Sequence, residues 1–209
     1  MARRRWFAGR RRALNGDVMT ILIIGLALFL GVHVFSTLRG PRAALIARLG
    51  PDVYKSLYSA LALIGFGLIV WGFGRYRAAG MIPVWDPPLW TRHLAMPLVW
   101  FAFVAIASRR APTSRIRGWL RHPMLVAIKA WALAHLLVNG DLGSMLLFGS
   151  FLAFAVYDRI AVKRRGDMGA PRLSAFARGD AIALGAGTAL FALVLVLHPW
   201  LFGVSVIPG

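Results

Sequence analysis

"RHPMLVAIKAWALAHLLVNGDLGSMLLFGSFLAFAVYDRIA" runs from Arg121 to Ala161. Two apolar runs, 122–138 and 142–161, are separated only by Asn139-Gly140-Asp141. Asn and Gly tolerate the left-handed backbone that ends a helix, and Asp favours a turn, so the tripeptide reads as a tight reversal. The stretch is therefore an antiparallel pair of helices, each close to the roughly 20 apolar residues that cross a bilayer. Four more runs of this kind lie at 19–37, 53–74, 89–107 and 181–200. No spacer between them is long enough for a soluble domain. The expected fold is all-α, a polytopic membrane helix bundle of about six transmembrane helices.

Composition agrees. The chain is 59% hydrophobic with a mean hydropathy of +0.68, well above the 45–50% apolar content usual in soluble domains. It has no cysteine, hence no disulfide and no thiolate ligand or nucleophile. Seven acidic residues, all aspartate, face 25 Lys and Arg, for a formal charge of +18. In a soluble protein that excess points to nucleic acid. Here the basic residues sit between the apolar runs, where they meet anionic headgroups instead. The partner read from the charge is the lipid bilayer, not nucleic acid.

The same charges orient the chain. Gaps one, three and five hold fifteen Lys and Arg, whereas gaps two and four with the C-terminal tail hold three. Cytoplasmic loops carry the excess, so gaps one, three and five face the cytoplasm and both ends of the bundle face outward. Residues 1–18 run against this, with six arginines. We read 1–18 as a basic N-terminal extension, an upstream stretch of reading frame ahead of a start at Met19, and 19–209 as the transmembrane domain. Arg4-Arg5-Trp6-Phe7 also matches the core of a twin-arginine signal, but no small-residue cleavage site follows.

Polar groups inside lipid are expensive and invite a functional reading. At about 1.5 Å rise per residue, His33 lies toward the cytoplasmic end of the first segment and His122 at the cytoplasmic start of the fourth. His93, His135 and His198 fall toward the outer ends. Depth alone pairs His33 with His122, and His135 with His93 or His198. Thirteen residues set His122 and His135 about 140° apart around one helix, so they do not face one ligand. His33 and His135 each sit within an apolar run. Each serves either a helix-to-helix hydrogen bond or as a ligand to haem iron or another transition metal; the sequence leaves both open. Lys129 follows His122 by seven residues, nearly on the same face. It either snorkels or, with His122, meets an anionic group such as a haem propionate or a lipid phosphate. Pro123 suits a first helical position. Trp131, one turn before His135, could wall whatever that histidine binds.

The chain from Met19 onward resembles the NnrU family of integral membrane proteins. The likeness rests on "GVHVF" (31–35), "KSLYSALALIGFGLIVWGFG" (55–74), "DPPLWTRHL" (86–94) and, most specifically, "RHPMLVAIKAWALAHLLVNGD" (121–141). The resemblance implies a multi-pass protein of the bacterial inner (plasma) membrane, linked to denitrification through nitrite and nitric oxide metabolism. That family is similar to 15-cis-zeta-carotene isomerase, a membrane enzyme with haem b. This similarity implies haem b as cofactor and His33 and His135 as its metal ligands. The isomerase has an alternate cysteine ligand three residues before the second histidine, where this chain has Ala132. "RHP" also occurs among isoprenylcysteine methyltransferases, whose glutamate pair is missing from this glutamate-free chain. Two function classes follow. One is a haem-containing redox or isomerase-like protein. The other is a non-catalytic accessory factor for respiratory or denitrification membrane proteins. Whether the chain is an enzyme is left open.

Overall fold

In a computed structural model, residues 2–206 are described, with side chains from Met19 onward. The side chains of the 1–18 extension thus lie outside the described residues. Eight helices are described: α1 (Ala2–Thr37), α2 (Arg39–Leu49), α3 (Pro51–Ala78), α4 (Thr91–Ser108), α5 (Arg115–Leu120), α6 (Pro123–Val138), α7 (Leu142–Arg164) and α8 (Arg178–Phe202). All six apolar runs are helical, and no strand occurs among the described residues. Two short helices, α2 and α5, were not expected from hydropathy.

Five helices are long and apolar enough to cross a membrane, and α6 is the shorter sixth. Its 16 residues rise about 24 Å, less than a hydrocarbon core of about 30 Å. A crossing there draws polar flanks into the margin or thins the bilayer. Large apolar side chains point outward along the helices: Leu63 is 70% exposed and Val196 69%. In water that pattern would be a liability; in hydrocarbon it is the expected face.

The chain divides into two compact units, Met1–Pro87 with Asn139–Phe154, and Pro88–Val138 with Ala155–Gly209. In the first, α1 packs on α3 through glycine. A Cβ on Gly25 would lie 2.6 Å from Ile69 N, on Gly65 2.7 Å from Phe29 N, and on Gly72 2.6 Å from Leu22 N. Lipid offers no hydrophobic drive to pair helices, so close backbone approach at small residues supplies the packing. The Asn139-Gly140-Asp141 reversal is held by the loop after α3. Val84 N and Trp85 N both donate to the Gly140 carbonyl, at 2.8 and 3.0 Å, and Leu142 N donates to Ile82 O at 2.9 Å. Asp141 caps α7 by accepting from Ser144 N at 2.9 Å. The fully buried Tyr76 hydroxyl accepts from Ile82 N at 2.8 Å and hydrogen-bonds the Asp141 side chain.

In the second unit α4 packs on α6 and α8. Its core is built from Ala102, Ala105, Ala127 and Ala130, with Trp131 and Leu120 against them. Asp180, fully buried, ties this unit's loops together. Its carboxylate accepts from Ser114 Oγ (2.8 Å), Ile116 N (2.7 Å), Arg115 N (3.0 Å) and Ala177 N (2.8 Å). It thereby satisfies donors at the starts of both α5 and α8.

Candidate functional site

His33 belongs to the first unit. A helix presents residue i to the carbonyl of i−4, and the His33 ring takes that option: Nδ1 lies 2.6 Å from Phe29 O. A carbonyl only accepts, so Nδ1 carries the proton and the neutral ring bears its lone pair on Nε2. Aromatic rings surround this imidazole. Centroids lie at 4.3 Å for Phe29, 5.5 Å for Tyr58 and 5.9 Å, edge-on, for Phe154. Tyr54, one turn before Tyr58, is buried, and its hydroxyl has no hydrogen-bond partner among the described residues. Such a group costs about 1–3 kcal/mol when left unmet.

His135 belongs to the second unit and repeats the arrangement. Its Nδ1 is 2.8 Å from Trp131 O, which again puts the lone pair of the neutral ring on Nε2. The Trp131 ring centroid is 5.1 Å away, so the aromatic ring one turn earlier lies beside His135. His198, one of the two partners expected from depth, lies on α8 in the same unit. His198 Nδ1 in turn bonds Val204 O at 2.8 Å. His93, the other expected partner, is exposed.

The opening of α6 forms a third locality, also within the second unit. Arg109, Arg117, Arg121, His122 and Asp158 line a cavity of about 310 Å³. Pro123 stands at the start of α6, as expected. Arg121 is the only non-glycine residue with positive φ among those described, at 59°. His122 N donates across it to Leu120 O at 2.6 Å, closing a three-residue γ-turn of the strained, positive-φ kind. Two bonds hold that turn: Ala170 N donates to Arg121 O at 3.0 Å, and Arg121 Nη1 donates to Met168 O at 3.0 Å. His122 Nε2 lies 3.3 Å from Asp167 O.

The four residues singled out in the sequence thus occupy separate places. His33 lies in one unit, and His135, His122 and Lys129 in the other. Lys129 is half-buried on α6 and is not among the residues lining the cavity around His122. The arginines that do line it come from the ends of α4 and α5 and the turn after α5. All three belong to the single gap between the runs 89–107 and 122–138, whose irregular path gives no sequence signal that they converge. Among the described residues, no group of three or more His, Cys, Asp or Glu is placed to hold a metal ion. A two-histidine haem is a different donor set.

No curated protein and no solved structure matches the chain. A model of the NnrU protein family matches residues 21–206, which include all six apolar helices from the middle of α1 onward and every histidine. This multi-pass helical membrane protein belongs to the NnrU family.

Proposed function

We propose that this protein binds haem b, with His33 and His135 as ligating residues, in the inner membrane of a denitrifying or related respiratory bacterium. The observation that carries the reading is the shared geometry of the two histidines. Each donates Nδ1–H to the carbonyl one turn earlier, which orients the ring and raises the basicity of Nε2, the arrangement common to metal-ligating histidines. The donor set fits haem in its chemistry: neutral imidazoles, aromatic neighbours, and an unmet buried hydroxyl at Tyr54 in the His33 locality. When bound, haem would supply one-electron redox chemistry or an iron site for a small ligand. The chain's own part is to orient each imidazole and to shield it, His33 with Phe29, Tyr58 and Phe154 and His135 with Trp131.

His122 and His135 are 13 residues apart on one helix, about 20 Å along its axis. That exceeds the span from a haem iron to its propionates. A group held by His135 is therefore not anchored at the basic cavity, and the two ends of α6 serve different groups.

The test is an absorption spectrum of protein purified from cells supplied with haem. A Soret band is expected, lost or shifted in His33→Ala and His135→Ala and retained in His93→Ala. Absence of the band before and after reconstitution overturns the proposal and favours the accessory-factor reading. Co-purification with a denitrification or respiratory complex would then be the property to measure.

A further inference from the structure

We propose that the cavity at the start of α6 binds the phosphate of one anionic phospholipid. It lies where α4 ends and α6 begins, beside the last turns of α7, so it opens at headgroup level on the side of the basic gaps. Three arginines, Arg109, Arg117 and Arg121, line it. A guanidinium presents five N–H donors in a planar fork that matches phosphate oxygens. Two of the three forks are positioned by backbone carbonyls: Arg117 Nη1 donates to Ala111 O at 3.3 Å and Arg121 Nη1 to Met168 O at 3.0 Å. One bond of this kind fixes a fork without exhausting its donors.

The opposing charge is Asp158, which also lines the cavity and would repel an anion. Arg165 Nη2 stands 3.9 Å from it and offsets that repulsion, so the lining remains cationic. The strained turn adds a constraint. Arg121 at φ 59° and Gly169 at φ 69° pack so closely that a Cβ on Gly169 would lie 2.8 Å from His122 Nε2. Strain of this kind costs about 1–3 kcal/mol and persists only where surrounding contacts enforce it. Here they aim Arg121 and His122 at one cavity.

Apolar residues decide between a lipid and a free ion. Met124, Leu125 and Val162 complete the wall, and a bare inorganic phosphate gains nothing from them. A phosphodiester continuing into glycerol and acyl chains covers them and leads into the hydrocarbon along α6. The volume of about 310 Å³ lies at the small end of the range for organic ligands, roughly 300–1,000 Å³, which suits a headgroup. The haem proposal is independent of this one, because the two ends of α6 are separate.

The experiment is native mass spectrometry of the intact protein in mild detergent, after equilibration with phosphatidylglycerol, phosphatidylcholine or inorganic phosphate. One retained phosphatidylglycerol per chain is expected, with about tenfold less phosphatidylcholine. Arg109→Gln with Arg121→Gln should lower that retention about tenfold. Arg39→Gln with Arg48→Gln removes the same charge from exposed positions of another basic gap and should leave it unchanged. Should the Arg121 change prevent insertion, Arg109→Gln alone, at an exposed position, should still lower retention severalfold. Equal retention of phosphatidylcholine, or an equal loss in the Arg39/Arg48 variant, overturns the proposal. So does arginine-dependent binding of inorganic phosphate without lipid, which would assign the cavity to a free anion.

Discussion

At the scale of single residues, Asp180 shows what hydropathy conceals. Each of its oxygens accepts one backbone N–H from the α5 start, and the four donors come from two separate stretches of chain. An amide cannot replace it, because either orientation of Asn turns an NH2 group toward backbone donors. Bonds to a charged acceptor contribute about 1.5–3 kcal/mol each, and a buried donor left unmet costs about 1–3 kcal/mol. Asp180→Asn should therefore lower the thermal unfolding midpoint in detergent by about 5 °C or more, and an unchanged midpoint would refute the dual-cap account. Asp180 directly precedes the apolar run 181–200, so its place at a helix end is legible. Its bond to Ala177 N is local and legible. The bonds to Ser114, Arg115 and Ile116 lie more than sixty residues away and leave no local pattern. Arg121 was illegible for another reason, since arginine carries no preference for positive φ. The pairing of His122 with Lys129 came from helical spacing alone. The cavity instead draws on arginines of the single segment between α4 and α6, whose turns helical spacing does not reveal.

At the scale of elements, the six apolar runs were legible because lipid admits so few solutions: a run that long must satisfy its backbone internally, and a helix does so. The helices α2 and α5 were not, being short and without a continuous apolar run. Pairing within the first unit was also hidden, although its cause is written in the glycines. α3 carries four glycines at Gly65, Gly67, Gly72 and Gly74. Gly65 and Gly72 abut α1, while Gly67 and Gly74 have nothing within 4 Å of a Cβ position. Composition cannot tell these pairs apart; only the facing of the helix can. A sharp comparison follows. Gly65→Ala and Gly72→Ala should each separate α1 from α3 locally, with a cost of about 1–3 kcal/mol from overpacking. Gly67→Ala and Gly74→Ala should be neutral, or stabilising by up to about 1 kcal/mol through helix propensity. Unfolding of the four variants by a denaturing detergent would measure this, and four equal responses would remove glycine packing as the basis of the pair.

At the scale of the whole molecule, the remaining question is orientation, and the charges decide it by a margin that can be tested. Six crossings put the two ends of residues 19–209 on the same side. Gaps one, three and five carry fifteen Lys and Arg; gaps two and four with the tail carry three. The six arginines of residues 1–18 favour the opposite arrangement, since they too resist translocation. Added to the three, they make nine, still fewer than fifteen. Positive charge near the span ends sets orientation, and the first helix usually has the strongest voice but does not always prevail. The prediction is that gaps one, three and five stay cytoplasmic with or without the basic arm. In a Gram-negative host, alkaline phosphatase fused after Gly209 should be active in the periplasm, and a fluorescent protein fused there through the same export route should be dark. Fusion after Arg165, in gap five, should give the reverse. Deletion of residues 2–18 should leave both readings unchanged and sharpen them if the arm causes a minority of chains to insert upside down. A fluorescent, phosphatase-inactive fusion at Gly209 that becomes phosphatase-active only on deleting the arm would show that six arginines on the first helix outweigh fifteen distributed over three gaps.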